Sequence, residues 1–426
     1  MKKINIAIIG SGSTYTPELI DGFIKYKDSF HINRMAFMDI DMRKQHIVGN
    51  LCRRILQNAH YHCEVIFTDS LREAIRDADF VLTQFRVGKL PARYLDETIP
   101  VKYNLIGQET TGIGGFFKAL RTIPVMEEIV SAMEKFAPHA WLINFTNPSG
   151  IVTEYLANHT SIRHVGLCNV PVSMYDDVYA SVGKDAEITY LGLNHLSWIT
   201  SVKRKGQEMI SDLIANDLKT KVMSNIKDDS IPLECLKDIR ALPSSYLQYY
   251  YNRNVKLEQQ RKEQKCRAQV CMEIEEQLLT LYQDPRLVTK PALLDQRGGH
   301  KYSYVAVSLI DSIVNDKKEV HVVNCRNDGA LSFMEDGDVV EVPAVIGADG
   351  ICPIPIRDFD HPHIQTLMKT VKAYEKMTVT AALTGDSSIA RNALYIHPLA
   401  GDFYSVSACF EEMRLAHSSF LPRFFK

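Results

Sequence analysis

Two residues of the types that bind transition metals stand in short polar motifs, far apart in the chain. Cys168 begins the motif Cys-Asn-Val-Pro, and His195 lies in the motif Gly-Leu-Asn-His-Leu. A thiolate and an imidazole suit a first-row divalent metal, and two protein ligands leave open positions for substrate oxygens, as catalytic metal sites require. A single cysteine and a single histidine so far apart are more often core residues. The residue types alone leave both interpretations open.

A glycine turn near the N-terminus has the position of a dinucleotide-binding loop. Gly10-Ser11-Gly12-Ser13 follows the apolar run Ile4–Ile9 and precedes a run with helical spacing. Main-chain N–H groups at such a helix start bind a pyrophosphate. Tyr15 replaces the third glycine of the usual fingerprint, which leaves a plain turn as the alternative. The second predicted strand, however, ends in Asp39, at the position where ribose hydroxyls are bound. We therefore predict NAD binding at Gly10, Gly12, Ser13 and Asp39.

Three further polar segments contain residues that could contact a ligand. Arg93 could bind a phosphate through its planar guanidinium, although a surface salt bridge is its commoner role. Glu109 lies among four glycines in Gly107–Gly115 and is a candidate functional acid, or a carboxylate that caps the next helix. Asn147 precedes Pro148 and could hydrogen-bond cofactor and substrate oxygens, or form a turn.

These segments need a sheet that brings them to one edge. The first 170 residues alternate apolar runs with amphipathic stretches, which predicts a parallel, doubly wound sheet of the Rossmann-like α/β class. The loops at the carboxyl ends of such strands converge on a ligand. We expect Asp69 to cap the third helix. The predicted strands are Ile4–Ile9, Met35–Asp39, Val65–Thr68, Phe80–Phe85, Trp141–Phe145 and His164–Leu167, and the predicted helices are Thr16–Tyr26, Met42–Gln57 and Leu71–Arg76.

The pattern changes after about residue 200 and predicts a mixed α+β second lobe. Its predicted helices cover residues 246–282, 305–314 and 369–383, and its predicted strands cover residues 321–324 and 339–345. We place the NAD-binding domain at residues 1–195 and a domain for substrate, catalysis and oligomerisation at residues 196–426. Because no Ser/Gly-rich linker separates them, we expect one rigid unit with a cleft between the two.

Composition excludes several classes of partner. The formal net charge is -2, with 49 basic and 51 acidic residues, so no basic excess indicates nucleic acid or an anionic membrane. No segment reaches the ~20 apolar residues of a membrane helix, and the N-terminal apolar run is too short for a secretory signal. The nine cysteines form no CxxC pair, which favours a reducing cytoplasm.

Five motifs in a fixed order resemble glycoside hydrolase family four, the NAD- and metal-dependent glycosidases. They are Gly-Ser-Gly-Ser with Tyr-Thr-Pro-Glu-Leu, Gly-Gln-Glu-Thr, Asn-Phe-Thr-Asn-Pro-Ser-Gly, Cys-Asn-Val-Pro and Gly-Leu-Asn-His-Leu. The resemblance extends through Tyr-Leu-Gln-Tyr-Tyr, Arg-Gly-Gly and Asn-Cys-Arg-Asn, so it covers nearly the whole chain. It implies a first lobe like that of lactate and malate dehydrogenases.

The resemblance also implies roles for individual residues. Cys168 and His195 correspond to the ligands of a divalent metal, usually Mn²⁺. Tyr246 corresponds to the catalytic base, and Glu109 to the acid that tunes this tyrosine. The implied substrate contacts are Arg93, Asn147, Asn169 and Arg267, with Arg93 and Asn147 at the 6-phosphate. Asn169 stands where α-glucoside members carry aspartate, which is typical of the 6-phospho-β-glucosidase branch.

The activity that follows from the resemblance is hydrolysis of 6-phospho-β-glucosides, such as cellobiose 6-phosphate, to glucose 6-phosphate and an aglycone. The implied route is NAD-assisted oxidation at C3, removal of the C2 proton and elimination of the aglycone. A free tyrosine has a pKa of about 10, so Tyr246 needs a nearby cation that favours its phenolate. A homodimer or homotetramer is expected.

Three alternatives stay open at this point. The first is a 6-phospho-α-glucosidase or another sugar specificity of the same family, since only Asn169 argues for the β anomer. The second is an NAD-dependent dehydrogenase of the lactate or malate type, which would need no metal. The third is a non-catalytic NAD-binding sensor, which would need an interaction surface that the sequence does not reveal.

Overall fold

The computed structural model describes residues 1–216, 231–297 and 302–426. Gly298 and Gly299 of the Arg-Gly-Gly motif lie outside these residues. The strands are β1 Lys3–Ile9, β2 His31–Met38, β3 Glu64–Thr68, β4 Phe80–Thr83, β5 Trp141–Asn144, β6 Arg163–Gly166, β7 Glu187–Leu193, β8 Leu196–Arg204, β9 Gln207–Glu208, β10 Leu242–Pro243, β11 Glu319–Arg326, β12 Val339–Gly347 and β13 Gly350–Pro353.

The helices connect and cover these strands. They are α1 Thr16–Lys25, α2 Met42–Asn58, α3 Leu71–Ile75, α4 Lys89–Lys102, α5 Gly112–Phe136, α6 Ser149–His159, α7 Val170–Val182, α8 Ile210–Ala215, α9 Leu233–Ile239, α10 Gln248–Tyr251, α11 Arg253–Lys262, α12 Arg267–Tyr282, α13 Tyr302–Asn315, α14 Pro362–Thr384, α15 Ser387–Ile396 and α16 Phe403–Ala416. Short 3-10 helices cover Ser245–Leu247, Ala292–Arg297, Ser418–Phe420 and Pro422–Phe425. No described helix is both long and apolar enough to cross a membrane.

One half of the sheet is parallel. Its strand order is β3-β2-β1-β4-β5-β6, and each adjacent pair within it is parallel. Buried apolar side chains fill β1, β4 and β5, as expected for strands covered on both faces. The predicted α/β class with a doubly wound parallel sheet is confirmed, and the carboxyl ends of these strands carry the glycine turn, Asp39 and the Asn147 loop.

The other half of the sheet is antiparallel and continues from the first without a break. Strand β11 pairs with β6 through Asn324 and Gly166, and the order continues β11-β12-β7-β8-β10. The predicted second-lobe strands therefore extend the first-lobe sheet. Residue 195, where we placed the domain boundary, lies in the turn between β7 and β8, which pair with each other. The division at residue 195 stays a prediction.

The capping residue of the third helix differs from our expectation. Helix α3 begins at Leu71, and the Ser70 side chain accepts a hydrogen bond from the Glu73 N–H at 3.3 Å. The prediction that Asp69 caps this helix was wrong. An N-cap side chain reaches the N–H groups of the second or third helical residue, and Asp69 lies one residue too early for that contact.

Most of the buried apolar side chains form one core that spans both halves of the sheet. A second, smaller cluster lies beside it and contains Cys168, Tyr190 and Tyr246. Two of the proposed functional side chains therefore lie in a buried region of the antiparallel half. Burial matters for their chemistry because charges interact more strongly where water is excluded.

Candidate active site

A cavity of about 690 Å³ opens at the carboxyl ends of the parallel strands. All five residues that we predicted to bind the cofactor line it: Gly10, Gly12, Ser13, Asp39 and Asn147. This is the position at which open α/β sheets bind ligands. Other side chains at its wall include Arg86, Lys118, Glu275, Arg297 and Tyr302.

The glycine turn packs so closely against its neighbours that a side chain would not fit at Gly10 or Gly12. Gly10 has a φ of +87°, and a Cβ there would lie 2.8 Å from the main chain of Phe85. The Gly12 N–H donates a hydrogen bond of 2.8 Å to Asp39 Oδ2, and a Cβ on Gly12 would lie equally close to that oxygen. The turn and Asp39 thus form a close-fitting cradle, which fits the backbone approach of a dinucleotide.

Glu109 lies at the junction of several cationic side chains. Its carboxylate forms ion pairs with Lys118 at 2.8 Å, with Arg93 at 3.0 Å and with Arg86. Arg93 also pairs with Glu97 at 2.6 Å. We call Arg86, Arg93, Glu109 and Lys118 the Glu109 cluster; all but Arg86 are buried.

The surroundings set the charges in the Glu109 cluster. Burial raises the pKa of the Glu109 carboxyl, but Arg86, Arg93 and Lys118 outweigh it and hold this pKa well below its usual range. Burial and the neighbouring Arg86 lower the pKa of Lys118 to about 7. The Glu109 carboxyl group is therefore ionised at neutral pH and accepts a proton poorly. Its position suits holding the cationic side chains around it, and the implied tuning of Tyr246 stays a prediction.

A second cavity, of about 610 Å³, lies on the other side of Arg93. Among the described residues that line it, six are basic and two are acidic, namely Arg93, Lys102, Lys256, Arg261, Lys265 and Arg267 against Glu97 and Glu263. Arg267 donates hydrogen bonds to the carbonyls of Gln296 at 2.9 Å and Arg297 at 3.3 Å. This excess of cations suits an anionic group.

The predicted substrate contacts are divided between the two cavities. Arg93 and Arg267 line the second cavity, whereas Asn147 lines the first. The Asn147 side chain forms a hydrogen bond with the Tyr302 side chain. Asn169 is buried directly before helix α7. Arg93 and Asn147, which we expected together at the 6-phosphate, thus belong to different cavities.

His195 has the environment of a metal ligand. It lies in the turn between β7 and β8 with a φ of +64°, a left-handed conformation that is uncommon outside glycine and often found at functional sites. Its ring is buried, and within the described chain its Nδ1 atom has no hydrogen-bond partner. Burial lowers the pKa of His195 to about 3. The imidazole is therefore neutral, the form that binds a metal.

Cys168 lies just beyond the end of strand β6, and its side chain is buried. Burial and the negative charge of Glu341 raise the pKa of the thiol well above its usual range, although hydrogen bonds from Val170, Asn194 and Asn169 to the sulfur oppose this. The neutral thiol is favoured without a cation, so metal binding must displace its proton. In the described ranges, no group of three or more His, Cys, Asp or Glu side chains could hold a metal, so a two-ligand site would need oxygens from a substrate.

Tyr246 is held against His195. It lies in the 3-10 helix Ser245–Leu247 and is buried. The two rings stack with centroids 3.8 Å apart and an interplanar angle of 9°. The charges of Lys118 and Glu109 also act on His195, so the Glu109 cluster lies near both rings. We call Cys168, Asn194, His195 and Tyr246 the Cys168 cluster.

Several polar residues at the site were not among our predictions. Lys118 lies on helix α5, directly after the glycine-rich segment, and its position was a signal that could have drawn attention to it. Glu341 is fully buried and accepts hydrogen bonds from Tyr190 at 2.6 Å, Asn194 at 3.2 Å and Asn324 at 3.1 Å. Burial raises the pKa of its carboxyl to about 7. No sequence signal linked Glu341 to Cys168.

Known proteins resemble the chain over its whole length. A 6-phospho-β-glucosidase from Escherichia coli (strain K12) is 39% identical over 438 residues, which cover 99% of this chain and 97% of that protein. The structure of a 6-phospho-β-glucosidase from Thermotoga maritima with manganese, NAD⁺ and glucose-6-phosphate superimposes with a TM-score of 0.89 at 34% identity, covering 98% and 99% of the two chains.

A more distant likeness concerns the fold alone. The malate dehydrogenase of Plasmodium falciparum superimposes with a TM-score of 0.54 at 11% identity, covering 92% of this chain and 100% of that one. This confirms the predicted likeness to lactate and malate dehydrogenases.

Two family signatures match almost the entire sequence. Residues 5–184 match Family 4 glycosyl hydrolase, and residues 190–400 match the Family 4 glycosyl hydrolase C-terminal domain. The resemblance inferred from the five motifs is thereby confirmed. The chain belongs to family 4 of the glycosyl hydrolases.

Proposed function

We propose that the chain is an NAD- and Mn²⁺-dependent 6-phospho-β-glucosidase that releases glucose 6-phosphate and an aglycone. The observation that carries the proposal is the cavity lined by the glycine turn and Asp39, whose wall residue Tyr302 interacts with Cys168 and Tyr246, in a chain 39% identical throughout to a 6-phospho-β-glucosidase. The fold alone would equally suit a dehydrogenase. The buried Cys168, His195 and Tyr246 add the proposed metal ligands and the proposed base.

The residues present fit both groups that the reaction needs. Gly10, Gly12, Ser13 and Asp39 would hold NAD, and Cys168 with the free Nδ1 face of His195 would hold the metal. When bound, NAD supplies reversible oxidation at C3 of the sugar, and the metal supplies a Lewis acid for the sugar oxygens. The rest of the reaction is acid–base chemistry, which belongs to the protein side chains.

Tyr246 is the proposed base that removes the C2 proton. Its ring is fixed on the His195 imidazole, so its hydroxyl keeps one position relative to the metal ligands. A fixed base within reach of the proton contributes typically 10²–10⁴-fold, an order-of-magnitude range, to the rate. Glu109 acts indirectly, by holding Arg86, Arg93 and Lys118 around the site.

The second cavity is the proposed site of the 6-phosphate. Arg93 forms ion pairs with Glu97 and Glu109, which fix its side chain in the wall of the second cavity. Arg267 donates to main-chain carbonyls and forms no carboxylate pair in the described structure. The Arg267 guanidinium can therefore bind a phosphate without breaking an ion pair. Its planar set of N–H donors matches the oxygens of a phosphate group.

The preference for the β anomer is supported by Asn169, which stands where α-glucoside members carry aspartate. A neutral amide at this buried position cannot donate a proton to a leaving group, whereas a protonated aspartate can. Aryl leaving groups need less help of this kind. We therefore favour aryl β-glucoside 6-phosphates among the substrates.

A cytoplasmic homo-oligomer is the proposed cellular form. Sugars that are phosphorylated during uptake appear inside the cell, where the enzyme would meet them. Helix α16 carries Tyr404 at 81% and Leu415 at 60% exposure, and Phe403 at its start is 59% exposed. Exposed apolar groups of this kind favour subunit contact. Light scattering on the purified chain should give a dimer or tetramer, and a monomer would contradict this part of the proposal.

The test of the activity is release of p-nitrophenol from p-nitrophenyl β-glucoside 6-phosphate in the presence of NAD⁺, Mn²⁺ and a reductant. Parallel reactions omit each component, use the α anomer, or use the unphosphorylated sugar. We expect hydrolysis of the phosphorylated β anomer that needs NAD⁺ and Mn²⁺ and leaves no net NADH.

Other outcomes would redirect the proposal. Preferential cleavage of the α anomer would overturn the Asn169 argument and leave the site residues in place. Steady NADH accumulation on a hydroxy acid, with no hydrolysis of any phosphorylated sugar, would identify a dehydrogenase. Equal rates on phosphorylated and unphosphorylated sugars would contradict the phosphate site.

A further inference from the structure

The fully buried carboxylate of Glu341 lies next to the Cys168 cluster and has no cationic partner among the described residues. Glu341 lies on strand β12, opposite Gly192 of strand β7, and accepts hydrogen bonds only from neutral groups, on Tyr190, Asn194 and Asn324. In the described part of the chain it forms no ion pair. Placing a carboxylate in a dry interior is costly unless another charge or strong hydrogen bonds compensate.

Asn194 connects this carboxylate to the proposed metal ligand. Its Nδ2 donates to Glu341 Oε1 at 3.2 Å, and its Oδ1 accepts from the Gly150 N–H at 3.3 Å. A flipped amide would place oxygen against the carboxylate and NH₂ against an N–H group, so these two partners fix its orientation. The second N–H of Asn194 is then available to the Cys168 sulfur, with which it forms a hydrogen bond.

The sulfur of Cys168 therefore meets three N–H donors. Two are main-chain groups, of Asn169 and Val170, and the third is the Asn194 amide. A thiolate is an acceptor only, so these three donors favour the deprotonated form that binds a metal, against burial and the charge of Glu341, which favour the thiol. Asn194 also directly precedes His195 in the chain. Its position therefore affects both proposed metal ligands.

We propose that Asn194 and Glu341 are positioning residues of the metal site, in which Glu341 orients the Asn194 amide so that it holds the Cys168 thiolate toward the ion. The inference rests on the proposed function, because it takes Cys168 and His195 as the metal ligands. Partners of this kind orient ligands and tune metal affinity. The charge of Glu341 acts on Cys168, so it would also attract a cation bound to that sulfur.

Two substitutions separate orientation from charge. Asn194→Ala removes the third N–H donor of the sulfur. Glu341→Gln keeps an oxygen for Asn194 and Asn324, removes the charge, and replaces the oxygen that accepts from Tyr190 by an NH₂ group. Asn158→Ala is the matched control, since Asn158 also donates to a buried carboxylate, Glu154, at 2.8 Å, but contacts no residue of the Cys168 cluster in the described structure.

The measurement is Mn²⁺ affinity of the metal-stripped full chain, from the electron paramagnetic resonance signal of free Mn²⁺. NAD⁺ affinity is measured alongside, and the thiolate-to-cobalt absorption band is recorded after loading with Co²⁺. We expect Asn194→Ala to weaken Mn²⁺ binding by about 10–100-fold and to shift the cobalt band. Glu341→Gln should have the same effect at the lower end of this range, and Asn158→Ala none. NAD⁺ affinity should stay unchanged in all three.

The possible failures point to different conclusions. Unchanged Mn²⁺ affinity and an unchanged cobalt band in both variants, with an active parent enzyme, would overturn this inference alone. A parent chain that neither binds Mn²⁺ nor hydrolyses phosphorylated glucosides would overturn the proposed function. Should Asn194→Ala fail to fold, Glu341→Gln and Tyr190→Phe, which removes one hydrogen bond from Glu341, supply the same test.

Discussion

The first cavity, which we call the cofactor cavity because it is the proposed NAD site, differs from the Cys168 cluster in how it is built. In the cofactor cavity, the contact that shapes the glycine turn joins Gly12 and Asp39, which are 27 positions apart, and one partner is a main-chain N–H. In the Cys168 cluster, the contact between Asn194 and Glu341 joins side chains 147 positions apart. The first site is local and uses the backbone, whereas the second depends on distant side chains.

This difference predicts how each site responds to change. A main-chain site is damaged only by added bulk, because its donors do not depend on residue identity. A side-chain network loses a donor or a charge with each substitution, and the partner left behind is buried and unsatisfied. The two sites should therefore fail separately, with catalysis and metal binding lost through the Cys168 cluster and NAD binding lost through the glycine turn.

The largest effect is expected for Tyr246→Phe. The phenylalanine keeps the ring that stacks on His195 and removes the proposed base, so kcat should fall by roughly 10²–10⁴-fold. Steady-state hydrolysis of the aryl β-glucoside 6-phosphate measures this. NAD⁺ and Mn²⁺ affinities serve as controls and should be unchanged. Residual activity close to that of the parent would show that another group takes the C2 proton.

The next largest effect is expected for Glu109→Gln. The substitution leaves Arg86, Arg93 and Lys118 without their common anion, and removal of one partner of a buried ion pair costs about 3–5 kcal/mol of the free energy of unfolding. Urea denaturation at pH 7 measures the loss. The exposed pair Glu335–Lys376 provides the control, since Glu335→Gln should cost no more than about 1 kcal/mol.

The same variant carries a pH signature. Because the pKa of Glu109 is lowered in the folded protein, its stabilising contribution is present above the unfolded pKa of about 4.3 and is lost as the pH falls through the folded value. The difference in unfolding free energy between parent and Glu109→Gln should shrink as the pH is lowered from 7 toward 3. A constant difference across this range would mean that Glu109 acts through packing.

Metal removal should have an intermediate effect and should test the independence of the two sites. Mn²⁺ at a concentration 100-fold above its Kd stabilises the folded chain by about 2.7 kcal/mol. Chelation should therefore lower the Tm, and Cys168→Ser should abolish this shift because the thiolate ligand is absent. The stabilisation by NAD⁺ should persist in Cys168→Ser. If NAD⁺ no longer stabilised that variant, the two sites would be coupled.

The smallest of these effects is expected for Gly12→Ala. The added Cβ would lie 2.8 Å from Asp39 Oδ2, and overpacking of this kind costs about 1–3 kcal/mol. NAD⁺ affinity, measured by calorimetry, should therefore fall by about 10-fold or more. Gly337→Ala is the control, because Gly337 has no positive φ, the nearest atom to the added Cβ is Asn158 Oδ1 at 3.3 Å, and Gly337 does not line the cavity. Loss of Mn²⁺ affinity in Gly12→Ala would contradict the separation of the sites.

The same contrast explains what the sequence could and could not reveal. The glycine turn was predictable because strand, turn and helix follow one another in the chain, and their order has a physical meaning. Cys168 and His195 could be predicted as metal ligands only from the motif set, since their spacing alone is equally typical of core residues. Glu341 was not recognisable, because a glutamate in a strand gives no sign of the strand beside which it will lie.

The division of the substrate contacts shows a second limit. Arg93 and Asn147 both follow strands of the parallel half, which suggested a shared phosphate site. The structure places Arg93 at the second cavity, where Arg267 also lies, because Arg93 is on helix α4, which packs against helix α12, and α12 begins at Arg267. The pattern of strands predicts which loops meet at an edge, but not which way a helical side chain points.

The seam between the two halves of the sheet has a consequence for attempts to divide the protein. Strand β6 meets β11 through Asn324 and Gly166, and a Cβ on Gly166 would lie 2.9 Å from the Cβ of Asn324. A fragment ending at residue 195 would present β6 as a bare edge, and exposed edges recruit other chains. A fragment that ends at residue 195 should therefore precipitate when it is expressed alone.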